Sequence, residues 1–326
     1  MFKHRRLLLT AAALIVSSVT SIAQAAAALD RAQLLSLADS YLAALVAHDP
    51  GKVPLAADIR IVENVKRIAP GEGLWKTATA GPTGFKIVVP DPYSQEVGGL
   101  VVMQSDGKPA QVGFRLKLLN GKITQAEHMV VFPREQSMGM LQKPRAAFTI
   151  EVPYEYRDSR GRLVHIAKSY YDALDNNNGY LAPFADDCER HENGFRTAPN
   201  GGPSLAPPAI PGMSSAPRPA TLQGLQTCAT QINSGVFQYI DTIQDRRVEV
   251  ADEVTGLALG FSHFHHPMTV KKFKIYGSPD GQERDMSNQK PFDMPAMHIY
   301  KIWGGQIHEI EAIGISVPLD SPSGWE

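Results

Sequence analysis

The sequence predicts an α+β protein built from two related units, and three observations carry that prediction. The chain repeats itself: residues 34–67 align without a gap on residues 163–196, an offset of 129, with twelve identities that include Tyr41/Tyr170, Pro54/Pro183, Asp58/Asp187, Glu63/Glu192 and Asn64/Asn193. Each copy opens with apolar residues at helical spacing, Leu34, Leu37, Ala38, Tyr41, Leu42 and Leu45 in the first and Leu163, Ile166, Ala167, Tyr170, Tyr171 and Leu174 in the second. Each closes on two apolar strand-like runs joined by a turn dipeptide, Asn120-Gly121 or Gly304-Gly305, and these closing blocks match at an offset of 184. Helices followed by an antiparallel meander bury one sheet face under the helices, which is the α+β arrangement.

Taken in order, residues 1–25 read as a secretory signal peptide. Lys3, Arg5 and Arg6 precede an apolar run from Leu7 to Ile22 and an Ala23-Gln24-Ala25 cleavage site. The Arg5-Arg6 pair leaves the twin-arginine route open beside the general one. The first unit, 26–150, should hold the 34–45 helix, a short second helix through the Pro54 region, and strands at 85–89, 99–103, 112–119 and 123–132. The second, 151–326, should repeat this with a helix at 163–174, a short helix near Pro183, and strands at 236–243, 256–264, 296–303 and 306–317. Its surplus of about 55 residues falls largely in 197–220, a stretch with seven prolines that reads as a long loop.

Composition narrows the function classes. With 32 Lys+Arg against 33 Asp+Glu the net charge is −1, and −4 once the signal is removed, with no interior basic face for nucleic acid. No later segment reaches the length of a membrane span. In an oxidising compartment the only cysteines, Cys188 and Cys228, are expected to pair. Gly-x-Ser-x-Gly, P-loop, dinucleotide and His-Glu-x-x-His motifs are all missing, so serine hydrolase, nucleotide and zincin readings lack their residues.

The tyrosine-bearing first helix, Phe184-Ala185-Asp186-Asp187 entering a first strand, and the closing hairpin Ile302-Trp303-Gly304-Gly305-Gln306-Ile307 resemble the nuclear transport factor 2-like (NTF2-like) superfamily. That superfamily includes ketosteroid isomerases, scytalone dehydratase and SnoaL-type polyketide cyclases. The resemblance implies two tandem cone-shaped α+β barrels and acid–base chemistry without a cofactor. It implies Glu192, eight residues after Phe184, as general base and Tyr170 as oxyanion donor. The isomerases' second donor, a protonated aspartic acid, aligns near Met297, next to His298, a departure that argues against a simple steroid isomerase.

The histidines extend this reading. In Phe261-Ser-His263-Phe-His265-His266 a continuing strand places His263 and His265 on one face and His266 on the other. The first two, if concave-facing, form an acid–base pair, and His298 projects from the following strand. His-x-His also suits a metal, but no third ligand stands at a persuasive spacing, so none is expected. Tyr171, Arg190, Phe264 and Trp303 are expected to line the pocket, although aromatics serve cores just as readily. A structural network of Glu192, Asn193 and Arg196, mirrored by Glu63, Asn64 and Arg67, competes with catalysis. The first copy has only His128 between Gln104 and Met140 and a more apolar strand entry, so its cone is expected to be degenerate.

The expectation is an exported lyase or isomerase that performs dehydration, double-bond migration or retro-aldol cleavage on a small hydrophobic, hydroxylated aromatic or polycyclic compound. The alternative is a non-catalytic module that captures a small ligand or a peptide in the same cone. Self-association is left open.

Overall fold

The computed structural model describes residues 27–199, 227–276 and 283–326. The expected signal peptide and residues 200–220 of the expected loop lie outside the described residues.

The first unit begins with α1 (Arg31–Val46), whose N-terminus is closed by a reciprocal capping box between Asp30 and Gln33. Strands β1 (Leu55–Glu63) and β2 (Lys66–Ile68), the single-turn helix α2 (Leu74–Thr77), β3 (Ala78–Ala80), β4 (Lys86–Asp91), β5 (Glu96–Ser105), β6 (Lys108–Leu119) and β7 (Lys122–Val131) follow. They form a seven-stranded sheet in the order β2-β1-β7-β6-β5-β3, with β4 also on β5. The second unit runs α3 (Arg160–Asp175), β8 (Phe184–Glu192), β9 (Phe195–Ala198), α4 (Cys228–Asn233), β10 (Thr242–Asp252), β11 (Leu257–His266), β12 (Lys272–Lys274), β13 (Glu283–Asp285), β14 (Phe292–Trp303), β15 (Gln306–Gly314) and β16 (Val317–Pro318). Its sheet is ordered β10-β11-β14-β15-β8-β9, with β16 on β14, while β12 and β13 pair apart. In each unit the first long strand runs parallel to the last, and the meander strands are antiparallel.

The fold is α+β as expected, two helix-on-sheet units in tandem. Both long helices bury the predicted face against their own sheet, and the dipeptides Asn120-Gly121 and Gly304-Gly305 take positive φ at both positions, as two-residue hairpins require.

Strand alternation explains how the units meet. On β11, Ala258 and Phe264 face α3, while Leu257, Leu259 and Phe261 face the other sheet. In the first unit Phe85, just before β4, with Ile87 and Val89 on β4 and Leu100 on β5, returns the contact. The two sheets therefore share a buried apolar layer, and the approach is close: a Cβ on Gly98 would lie 2.8 Å from Leu259 Cδ1 and 2.7 Å from the Phe114 carbonyl oxygen. At the edge of this layer Arg31, opening α1, grips Asp252 of the second unit through Nη2 at 2.8 Å, and Arg160, opening α3, grips Asp91 of the first through Nε at 2.7 Å.

Two sequence expectations are corrected. The second helices near Pro54 and Pro183 are single 3-10 turns, Pro50–Lys52 and Gly179–Leu181. The residue before each proline, Val53 or Ala182, is extended, as the pyrrolidine ring demands, so the chain enters the strand instead of coiling on. The strand expected at 236–243 starts at Thr242: Gly235, at φ +71°, closes the end of α4, and the turn that follows carries Phe237, Tyr239 and Ile240 along the cavity.

Candidate active site in the second cone

The concave face of the second sheet and α3 enclose a cavity of about 490 Å³, open mouth included. Its walls are apolar and aromatic, with Leu174 from α3, Phe264 from β11, Met294 and Ala296 from β14, and Phe237, Tyr239 and Ile240 from the segment after α4. Among its polar groups, Tyr170 from α3, Arg190 from β8 and His298 from β14 converge inside. A mostly apolar cleft with a few placed polar groups is the usual form of a small-molecule site.

Arg190 organises the polar end. Its side chain is 2% exposed. Nη1 donates to the Tyr170 hydroxyl at 3.2 Å, Nη2 to Gln231 Oε1 at 2.7 Å and Nε to Thr197 Oγ1 at 2.9 Å, and the guanidinium lies 5.0 Å from the centre of the Phe237 ring. Gln231 also donates to the Thr197 carbonyl at 2.6 Å, so α4 and β9 are both fastened to the same cation. The disulfide Cys188–Cys228 ties the start of α4 to β8, two residues before Arg190.

Burial sets the protonation states. The Tyr170 phenol is pushed well above its ordinary range, with desolvation outweighing the lowering effect of Arg190, so its proton stays on oxygen and is available to donate. Desolvation, reinforced by Arg190, lowers His298 to about 3 and keeps the imidazole neutral. His298 Nδ1 lies 3.3 Å from the Tyr171 hydroxyl. Tyr171 is itself fully buried, with its phenol raised by desolvation to about 12, and its hydroxyl lies close over Gly260, where a Cβ would stand 3.1 Å from it.

The remaining expected site residues divide. Phe264 lines the cavity. Tyr171 stands behind His298 and does not line it. Glu192 sits at the mouth with 38% of its side chain exposed, 3.4 Å from Arg190 Nε, instead of in the apolar surround its expected role needs. Asn193, at φ +49°, clamps the backbone of Gly314 with both amide atoms, and Asn64 at φ +47° does the same to Val130, so that repeated asparagine holds a turn.

The histidine pair is corrected. His263 and His265 point away from the cone, flanking Asp293 at 3.3 and 2.8 Å, while His266 lines the cavity, stacked on Phe292 with ring centres 4.3 Å apart. Phe264 decides the parity: with its ring in the cone, 266 faces inward and 263 and 265 outward. Trp303 is also outside, stacked on His308 and packed with Val152. The residues sequence reasoning missed are His266, Gln231, Phe237 and Tyr239. Only His266 carried a signal, the period-2 relation to Phe264; the others arrive from a turn and a disulfide-tethered helix without a periodic pattern.

Among the described residues no helix is long and apolar enough to cross a membrane. No curated protein matches the chain by sequence. Residues 156–314 match the family described as a domain of unknown function, DUF8021. Among solved structures the chain is similar to a protein designated a polyketide cyclase from Xanthomonas campestris pv. campestris, at 15% identity over 47% of this chain and 90% of that one, with a TM-score of 0.29. It is similar to AusH from Aspergillus nidulans, at 11% identity over 50% and 90% with a TM-score of 0.29. It is also similar to the hexachlorocyclohexane dehydrochlorinase LinA-type3 from Novosphingobium barchaimii LL02, at 9% identity over 49% and 90% with a TM-score of 0.25. Each of these matches covers nearly the whole of the other protein and about half of this chain.

Proposed function

We propose that the second cone performs cofactor-independent proton transfer on a small hydrophobic, hydroxylated or carbonyl-bearing ring compound, as a lyase or isomerase of an exported protein. The observation that carries the reading is the buried Arg190–Tyr170 hydrogen bond, which opens on an aromatic cavity beside a neutral His298. Tyr170 accepts from Arg190 Nη1 and keeps its own O–H for the substrate oxygen, so negative charge that develops there meets a donor already polarised by a cation. His298, donating Nδ1–H to the Tyr171 oxygen, turns the Nε2 lone pair toward the substrate and takes a proton from the carbon next to the carbonyl. The electrons of that C–H bond form the enolate. The enolate then regains the proton from Nε2 at a distant carbon, which is isomerisation, or expels a β-hydroxyl that takes the same proton, which is dehydration. Desolvation is the larger cause of the low proton affinity of His298 and Arg190 the smaller, and an oxyanion on Tyr170 offsets the Arg190 share as the proton arrives. Glu192, at the mouth, is assigned to holding Arg190. The disulfide supports the exported compartment.

The test is turnover of a panel of hydroxylated aromatic ketones and ketosteroids by the wild type, His298→Gln and Tyr170→Phe. A loss of kcat of at least about 100-fold in His298→Gln and about tenfold or more in Tyr170→Phe is expected. Unchanged turnover in both sinks the mechanism. One observation favours the alternative, a non-catalytic binding module: an imidazole this hard to protonate is a weak base. Tight capture of panel compounds without turnover by the wild type decides for that module.

A further inference from the structure

A second, more open groove of about 690 Å³ adjoins the cavity. The two share Glu192 and Asn193 among their lining residues and so meet along that rim. The groove is not built by the second unit alone. Phe195 and Thr197 come from β9, but Phe132, Pro133 and Arg134 come from the segment that leaves β7 of the first unit. Phe132 is 54% exposed and Phe195 38%, so both present apolar surface to the groove. Arg134 is exposed and makes no ion pair among the described residues, and the one carboxylate on the groove's rim, Glu192, already lies on Arg190.

We infer that the ligand of this site is elongated, an apolar ring system in the cone with an arm that ends in a carboxylate lying in the groove, its apolar stem between Phe132 and Phe195 and its charge on Arg134. The inference rests on the cone being the binding site, and it assigns the first unit a share in specificity: the end of β7 supplies the residues that recognise the arm. Aromatic side chains cover the stem, and a guanidinium is the side chain best matched to a terminal carboxylate.

The probes are deoxycholate, a hydroxylated polycycle with a carboxylate on a short chain, its uncharged side-chain alcohol, and 2-naphthol, which fills the cone alone. Affinities are measured by isothermal titration calorimetry on the wild type, Arg134→Glu and Phe132→Ala, all positions whose exposure leaves folding unaffected. The wild type should bind deoxycholate about tenfold tighter than the alcohol. Arg134→Glu should erase that preference, Phe132→Ala should weaken both steroids about threefold to tenfold, and neither should move 2-naphthol. Equal affinity of the wild type for acid and alcohol, no binding of deoxycholate, or a preference that survives Arg134→Glu overturns the inference. Loss of turnover in His298→Gln is read separately, so a failed acid–base mechanism with an intact Arg134 preference leaves the groove standing, and the reverse pattern removes the groove alone.

Discussion

The two cones keep the same helix tyrosine and differ in the side chain that meets it. In the first unit the Tyr41 hydroxyl lies 2.8 Å from His128 Nε2, and His128 Nδ1 lies 3.1 Å from Glu63 Oε2. In the second, Tyr170 meets Arg190, and the position opposite Glu192 across the sheet, where Glu63 faces His128, is Ala312. The first chain of hydrogen bonds is sealed. Trp75 from α2 packs edge-on against Tyr41 with ring centres 5.4 Å apart, and Glu63 also accepts from the Leu74 amide, so α2 plugs the cone. In the second unit α4 is held aside by the disulfide and grips Arg190 from outside the cavity. A repeated sequence thus sets a buried tryptophan against the helix tyrosine in one unit and opens a cavity beside it in the other, and the difference lies in the short helix that comes after the first two strands of each unit.

The largest expected effect comes from removing the plug. Trp75 is 1% exposed, and Trp75→Ala should cost about 3–5 kcal/mol in urea unfolding because the site cannot collapse onto Tyr41. If the variant stays folded, 2-naphthol should bind with a second site by calorimetry. A destabilisation below about 1 kcal/mol would mean that the first cone is not filled by Trp75.

Next is the tether on the other side. Replacing Cys188 and Cys228 by serine should cost about 2–4 kcal/mol and, by freeing α4, loosen Gln231 from Arg190. The expected result is a falling midpoint in urea together with weaker 2-naphthol binding. Loss of stability with unchanged binding would show that α4 does not position the cation.

His298 makes the stability of the second cone depend on acid. Its folded value of about 3 lies below the unfolded value near 6.5, so the unfolded chain binds the proton more readily between them. This contribution to stability is complete above about pH 6.5 and is lost as pH falls toward 3, amounting to about 2 kcal/mol by pH 5. His298→Gln should flatten the pH 8 to pH 5 difference in unfolding free energy by about that amount. An unaltered difference would place the proton elsewhere. His266, lowered by burial to about 4, acts in the same direction and remains in the variant.

These contrasts also mark what the sequence could and could not reveal. The helices and most strands are legible because each buries one face at the helix–sheet contact, leaving a period in the residue pattern, and the hairpins because their turn dipeptides need positive φ. Tyr170 is singled out by the repeat and the resemblance and His298 by the resemblance, whereas Arg190 is expected only among the pocket lining. His263 and His265 were misplaced because β11 is buried on both sides, by α3 on one and by the first unit's sheet on the other, so a run of ten residues from Leu257 carries no polar face to set its parity. The plug was invisible for a related reason: Trp75 sits on a single helical turn, too short for any periodicity.

The smallest effect tests whether the units are joined as equals. Arg31 and Arg160 are separated by the same 129 residues as the repeat, and their partners Asp252 and Asp91 by 161, which is also the spacing of Gly260 and Gly99. Each arginine opens the long helix of one unit and reaches a carboxylate at the end of a strand in the other, so the two pairs are related by exchange of the units. Both aspartates are nearly buried, at 3% and 1%, while the arginines are 33% and 25% exposed, and each carboxylate keeps further donors, Thr255 and the Val254 amide for Asp252, and the Ala251 and Tyr93 amides for Asp91. Solvent at the arginine end limits each pair to about 1 kcal/mol. Arg31→Ala and Arg160→Ala should therefore destabilise by similar small amounts, and the double variant measures their coupling, since the Ala251 amide that Asp91 accepts from adjoins Asp252 and both pairs line one depression. Strong non-additivity in urea unfolding would mean that one bridge sets the geometry of the other, and the exchange symmetry would then describe the contacts without describing their energetics.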